Sequence, residues 1–222
     1  MNNVLLIIIL IVLNYFAGSI SSAVLVSKYI KKVDIRKVGY KTAGGSNVAY
    51  NVGFFWGFSV GMFDVVKGIP ILILAKHLDV DLMWQGLIGV AAVAGHCWPI
   101  WFNFSGGRGI GSLLGVILFL YPQNAICSVI IFILTIVPVI TKRTLNFQLK
   151  LLSSPVLTLL SIGVFIFLSM KTPEEADDVL SILLLILILI RRLTAEIGEY
   201  KKRDPVKLFF SRLIFDNDEV IA

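Results

Sequence analysis

Charge is what this sequence has least of. Only 15% of its 222 residues are Asp, Glu, Lys or Arg, against about a quarter in a soluble domain, which needs them to keep its surface hydrated. With 57% apolar residues and a mean hydropathy of +0.89, the shortage excludes a water-soluble globule, and the apolar content excludes disorder and a collagen repeat. Cysteine is scarce too. Cys97 and Cys127 are the two present, both in apolar runs with no metal-ligand spacing, so neither a disulfide scaffold nor a thiolate metal site is expected and both read as small core residues. Finally, no basic residue precedes the first apolar run, which removes the basic n-region of a signal peptide and makes that run a retained span.

What is present is a series of apolar stretches, each near the roughly 20 residues that cross about 30 Å of hydrocarbon. Spans are expected at about 4–27, 53–75 and 82–104. The stretch 110–140 is too long for one untilted helix and breaks at YPQN, giving spans of about 110–121 and 124–140. LLSSPVLTLLSIGVFIFLSM supplies a sixth and VLSILLLILILI a seventh, with a charged tail from Arg191. The expectation is one all-α, polytopic membrane bundle over 1–222, of about seven spans with five to seven possible. An outside N-terminus puts all but Lys67, Lys76 and Lys171 of the 20 basic residues on the cytoplasmic side, as the positive-inside bias requires. The formal net charge of +6 therefore reads as orientation and as attraction for anionic lipid or phosphorylated ligands rather than nucleic acid.

Three glycine-bearing polar segments fall on that same side: GSISSA (18–23), VGYKTAGGSNVAYNVG (38–53) and AGHCWPIWFNFSGGRGIGS (94–112). Irregular backbone at membrane depth must be buried in protein or line a polar cavity. Consecutive glycines also let backbone N–H groups converge on an anion, and GGSN beside Lys41 and SGGRG with Arg108 both have that form. Close helix packing or a turn is the better explanation of each loop taken alone; two on one face shift the balance toward a phosphate-bearing ligand. Asp64 and Lys67, three apart on one helix, are placed to pair, either as a neutralising structural pair or as part of a substrate site. His96, near the SGGRG loop, is a buried core residue or a catalyst.

In this order, GSISSA, VDIRKVGYKTAGGSNV, DVVKG and GHCWPIWFNFSGGRGIGSLLG resemble the bacterial acyl-phosphate:glycerol-3-phosphate acyltransferase family over about residues 16–116. The resemblance implies an integral membrane enzyme that moves a fatty acyl group from acyl phosphate to the 1-hydroxyl of glycerol 3-phosphate, making lysophosphatidic acid. It implies catalytic roles for His96, Ser46, Asn47 and Arg108. Substrate or phosphate binding then falls to Ser19, Lys41, Gly44, Gly45, Lys67, Gly106, Gly107, Gly109 and Ser112. No metal or organic cofactor is implied, membrane lipids surround the protein, and a soluble partner forms the acyl phosphate. The sequence departs from the family pattern at Gly39-Tyr40-Lys41-Thr42, at Ser105-Gly106-Gly107-Arg108-Gly109, and at Ile186–Leu189, where the family's His-Arg-x-Asn segment stands. A paralogue that binds a phosphorylated ligand without turnover, and a small transporter, are the alternative readings.

Overall fold

The structure, a computed structural model, describes residues 3–122, 130, 183, 186–188, 190 and 191. The expected spans at 124–140 and 151–170, most of the seventh, the basic connector TKRTLNFQLK, Cys127 and the charged tail beyond Arg191 lie outside the described residues. Within them the fold is all α, with two short 3₁₀ turns.

Helix α1 (Val4–Gly18) starts where the Asn3 side chain accepts the Leu5 N–H at 3.1 Å, capping a donor the helix cannot satisfy itself. Its Ile- and Val-rich stretch is a modest helix former in water, but in hydrocarbon only the helix satisfies every backbone group. The chain breaks at Ser19–Ser21 and resumes as α2 (Ser22–Lys31), which stops at Lys32 in the left-handed region, φ 55°. Beyond a 3₁₀ turn (Ile35–Lys37) and the short helix α3 (Gly45–Asn51), the next apolar run forms α4 (Phe54–Val66) and α5 (Ile69–His77). Pro70 lies in the first turn of α5; it has no N–H to return to Val66, so the helix is interrupted at Lys67–Gly68. The runs Val4–Lys31 and Phe54–His77 are the two that are long and apolar enough to cross a membrane, among the described residues.

Helix α6 (Leu82–Cys97) lies against α1 at backbone distance: a methyl on Gly18 would overlap the Ala92 carbonyl, and one on Gly95 the Tyr15 carbonyl. Small residues permit this approach, which supplies the van der Waals contact that holds membrane helices together. The third span was expected to reach 104, but its helix ends at Cys97. Pro99 follows, and Ile100–Phe102 form a 3₁₀ turn, so the last part of that stretch is irregular backbone. Helix α7 (Ile110–Leu120) packs on α4, with Gly115 against the Val65 carbonyl, and on α6, with Gly89 against Val116. Between these helices sits a core of Ile7, Leu10, Leu72, Ile88, Val93, Val116 and Ile117. A second cluster of Val24, Ile35, Ala43, Val48 and Val60 lies under the loops.

The distribution of polarity is inverted relative to a soluble protein. Val4, Leu5, Ile8, Phe54, Phe55 and Phe58 are exposed, whereas Asn14, Asp64, Lys67, Gln85 and His96 are buried. Charged side chains are almost never buried in water-soluble folds unless paired, and exposed apolar faces of this extent are what lipid covers.

Candidate functional site

The first glycine loop is folded around one amide. Asn47 is fully buried; its Nδ2 donates to the carbonyls of Ile35 (2.8 Å), Thr42 (3.0 Å) and Val38 (3.1 Å). Its Oδ1 accepts from the Tyr40 N–H at 2.9 Å and from Asn51 Nδ2 at 2.7 Å. Both ends of the side chain are thus engaged by the protein, and Asn47 acts on the loop's shape rather than from its surface. Ser46 and Lys41 are exposed, Gly44 and Gly45 half-buried, and Lys41 sits at φ 52°. Gly45 faces the Gly57 carbonyl of α4, which seats the start of α3 on the second apolar run.

Arg36 ties this loop to the other. Its guanidinium grips Asp34 through Nε and Nη2, each at 2.9 Å, and its Nη1 donates to the Phe102 carbonyl at 2.9 Å. The Arg36 hydrogen bond holds the Asp34 carboxyl below the ordinary aspartate range, and Asp34 in turn raises Arg36. Nearby, burial pushes the Tyr40 phenol above its usual value.

The second glycine loop follows α6 and is fixed at several points. The Tyr15 hydroxyl donates to the Trp98 carbonyl at 2.7 Å, and the Gly107 N–H donates to the His96 carbonyl at 3.1 Å. Gly107 is a position only glycine can occupy, because a β-carbon would meet His96 Nε2 and the Ala43 carbonyl. The two glycine loops therefore touch at Ala43 and Gly107. Gly109, at φ 82°, turns the chain into α7, a conformation glycine adopts without strain. Gly106 is buried and Arg108 half-buried.

Beneath the loops lies a charged knot. Lys67 Nζ is 2.9 Å from His96 Nδ1, 3.0 Å from Asp64 Oδ1 and 3.2 Å from the Ile20 carbonyl. Asp64 and the Ile20 carbonyl accept from the ammonium, the role of His96 Nδ1 follows the tautomer of the ring, and Nε2 faces Gly107. The Asp64–His96 separation is 3.4 Å. The expected Asp64–Lys67 pair is present, but it also recruits His96, and its ammonium closes the α1–α2 break by taking the Ile20 carbonyl. Neither serine at the margin offers a free hydroxyl proton: Ser19 donates to the Tyr15 carbonyl at 2.8 Å, and Ser112 to the Asp64 carbonyl at 3.1 Å. Both are buried.

Arg191 is a site residue the sequence reading placed in the tail. Its Nε donates to the Gly107 carbonyl at 2.9 Å and its Nη2 to the Gly106 carbonyl at 2.8 Å, with the guanidinium 5.9 Å from the centre of the Trp98 ring. An arginine at the end of a long apolar run was the available signal. Among the described residues there is no group of His, Cys, Asp and Glu that could hold a metal ion.

The residues so assembled form two apposed glycine loops, Lys41 and Arg108 at their rims, and a helix start at Ile110, whose N–H groups favour an anion. No described serine, cysteine or histidine is arranged as an activated nucleophile, so the arrangement suits binding and orienting anions.

The family model described as glycerol-3-phosphate acyltransferase matches residues 8–202. Glycerol-3-phosphate acyltransferase 4 of Dehalococcoides mccartyi (strain CBDB1) is 32% identical over 95% of this chain and 89% of its own length. Glycerol-3-phosphate acyltransferase 2 of the same strain is 38% identical over 56% of this chain, a match that takes in 59% of that relative. A crystal structure of PlsY (YgiH), an integral membrane glycerol 3-phosphate acyltransferase in its glycerol 3-phosphate form, superposes with a TM-score of 0.68 at 28% identity, over 84% of this chain and 88% of the other. Its lysophosphatidic acid form gives 0.66 at 26% identity.

Proposed function

This chain belongs to the glycerol-3-phosphate acyltransferase family, and from that membership we propose that it transfers an acyl group from acyl phosphate to glycerol 3-phosphate, forming lysophosphatidic acid. The observation that carries the assignment of this chemistry to a place is the meeting of the two glycine loops at Ala43 and Gly107, above the Asp64–Lys67–His96 knot.

Acyl phosphate is already an activated donor. The glycerol hydroxyl oxygen bonds to the acyl carbon, the bond from that carbon to the phosphate oxygen breaks, and the hydroxyl proton ends on the departing phosphate. Atoms and charge then balance without the protein keeping a covalent group. What the protein must supply is orientation, and stabilisation of charge on the acyl oxygen and the leaving phosphate. Two anionic substrates repel each other, so the cationic rim of Lys41 and Arg108, the N–H groups of Gly45 and Ser46 and the start of α7 offset that repulsion. His96 holds the second loop through its carbonyl and presents Nε2 beside Gly107. Asn47 holds the first loop, Gly45 seats it on α4, Gly106 lies against the end of α6, and Ser112 ties α7 to α4. Ser19 and Lys67 support the floor.

The reaction calls for a site facing the cytoplasm, where glycerol 3-phosphate is found and where the basic loops are expected. The bundle has about seven spans with the N-terminus outside, and a soluble enzyme delivers acyl phosphate. Purified protein incubated with acyl phosphate and labelled glycerol 3-phosphate should form labelled lysophosphatidic acid saturably in both substrates. Saturable glycerol 3-phosphate binding without product would replace catalysis with binding alone.

A further inference from the structure

We propose that Arg191 is a positioning residue: its guanidinium fixes the peptide planes of Gly106 and Gly107 so that the second glycine loop is preformed for a phosphate group. The inference rests on the phosphate-binding reading of that loop. Two successive carbonyls of an isolated glycine pair have no reason to point the same way, because glycine samples both signs of φ. Here both oxygens are taken by the Nε–Nη2 edge of one planar fork, at 2.9 and 2.8 Å. That edge makes two parallel bonds in fixed geometry, which a lysine ammonium cannot imitate.

The consequence lies on the other side of each peptide plane. In a trans peptide the N–H points opposite to the carbonyl, and no cis peptide is present among the described residues. Holding the Gly106 oxygen aims the Gly107 N–H at the His96 carbonyl, a bond observed at 3.1 Å. Holding the Gly107 oxygen turns the Arg108 N–H away from the guanidinium, one residue before Gly109 turns into α7. Carbonyl oxygens, which would repel a phosphate, are thereby drawn to Arg191 and kept off the loop's other face. Trp98 backs the guanidinium at 5.9 Å from its ring centre, at cation–π distance. Residue 191 is 84 positions from Gly107, so a distant part of the sequence becomes part of the site through this contact.

The test uses the full chain in detergent and reads binding apart from turnover. Calorimetric titration with inorganic phosphate and with glycerol 3-phosphate, and acyl-transfer kinetics with both substrates varied, are run on the wild type, Arg191→Ala and Arg191→Lys. We expect Arg191→Ala to weaken one of the two anions roughly tenfold or more, in line with losing charge-assisted bonds. The KM of the corresponding substrate should rise and that of the other stay within about twofold, a split that general unfolding does not produce. Arg191→Lys should recover only part, and ethylguanidinium added to Arg191→Ala should restore binding. Unchanged affinities in Arg191→Ala, or losses equal for both ligands and insensitive to ethylguanidinium, would overturn the proposal. A wild type that binds phosphate but makes no lysophosphatidic acid would reject the transfer reaction instead, while the binding comparison would still decide the role of Arg191.

Discussion

Lys67 Nζ makes all three of its polar contacts inside the protein, with Asp64, His96 and the Ile20 carbonyl. Removing it strands a carboxylate that is 4% exposed. We expect Lys67→Met to cost roughly 3–5 kcal/mol, the usual penalty for breaking a buried pair from one side. Asp64→Asn combined with Lys67→Met should cost less than Lys67→Met alone, a comparison read by denaturant unfolding in detergent. Asn47→Ala should behave differently, because it removes five bonds that shape one loop. A loss of about 2–3 kcal/mol is expected from the backbone groups left unpaired, with protease cleavage concentrated between residues 35 and 47. The spacing of Asp64 and Lys67 was readable from the sequence because it is local. Their third member, His96, lies 29 residues away, and only the packing of α6 near α4 brings it in. A catalytic role for Asn47 came from the family resemblance alone; its amide is engaged by carbonyls and N–H groups that no pattern of spacing announces.

Among the elements, α6, α7 and the first long apolar run were legible because hydrophobic length in a membrane nearly dictates helix. Their interruptions were legible only in part. Pro70 marks the break before α5, and Pro99 the end of α6, whereas the break at Ser19–Ser21 depends on a lysine from another helix to satisfy Ile20. Gly107→Ala places a methyl against His96 and Ala43 at the junction of both loops, so strain of about 1–3 kcal/mol is expected, with transfer falling more than stability does. The Asp34–Arg36–Phe102 tie gives the loops a pH dependence. Because Asp34 titrates below its ordinary value, its stabilising contribution is complete above that value and disappears as pH falls through the depressed one. Amide protection in residues 34–42, the slowing of exchange relative to an unstructured chain at the same pH, should therefore fall at acid pH in the wild type. In Arg36→Leu protection should already be low near neutrality and no longer fall at acid pH; equal profiles would remove the tie from the account.

At the scale of the molecule, scarcity of charge identifies the lipid-facing surface, and the few charges present mark the site. Arg191, 84 positions along the chain from Gly107, donates to the Gly106 and Gly107 carbonyls of the second glycine loop. The sequence offered only an arginine at the end of an apolar run, and Arg191 and Arg192 read as the start of a charged tail. The positive-inside bias of the same charges predicts the proposed sidedness: a cysteine placed at Lys31 should be labelled from the cytoplasmic face of sealed vesicles and one at Asp79 from the opposite face. The most direct measurement of the central claim is product formation by the purified chain, given acyl phosphate and labelled glycerol 3-phosphate. The account predicts labelled lysophosphatidic acid and an equal amount of released phosphate, both abolished in Gly107→Ala. Absence of product from folded wild-type protein, or undiminished product from Gly107→Ala, would contradict it.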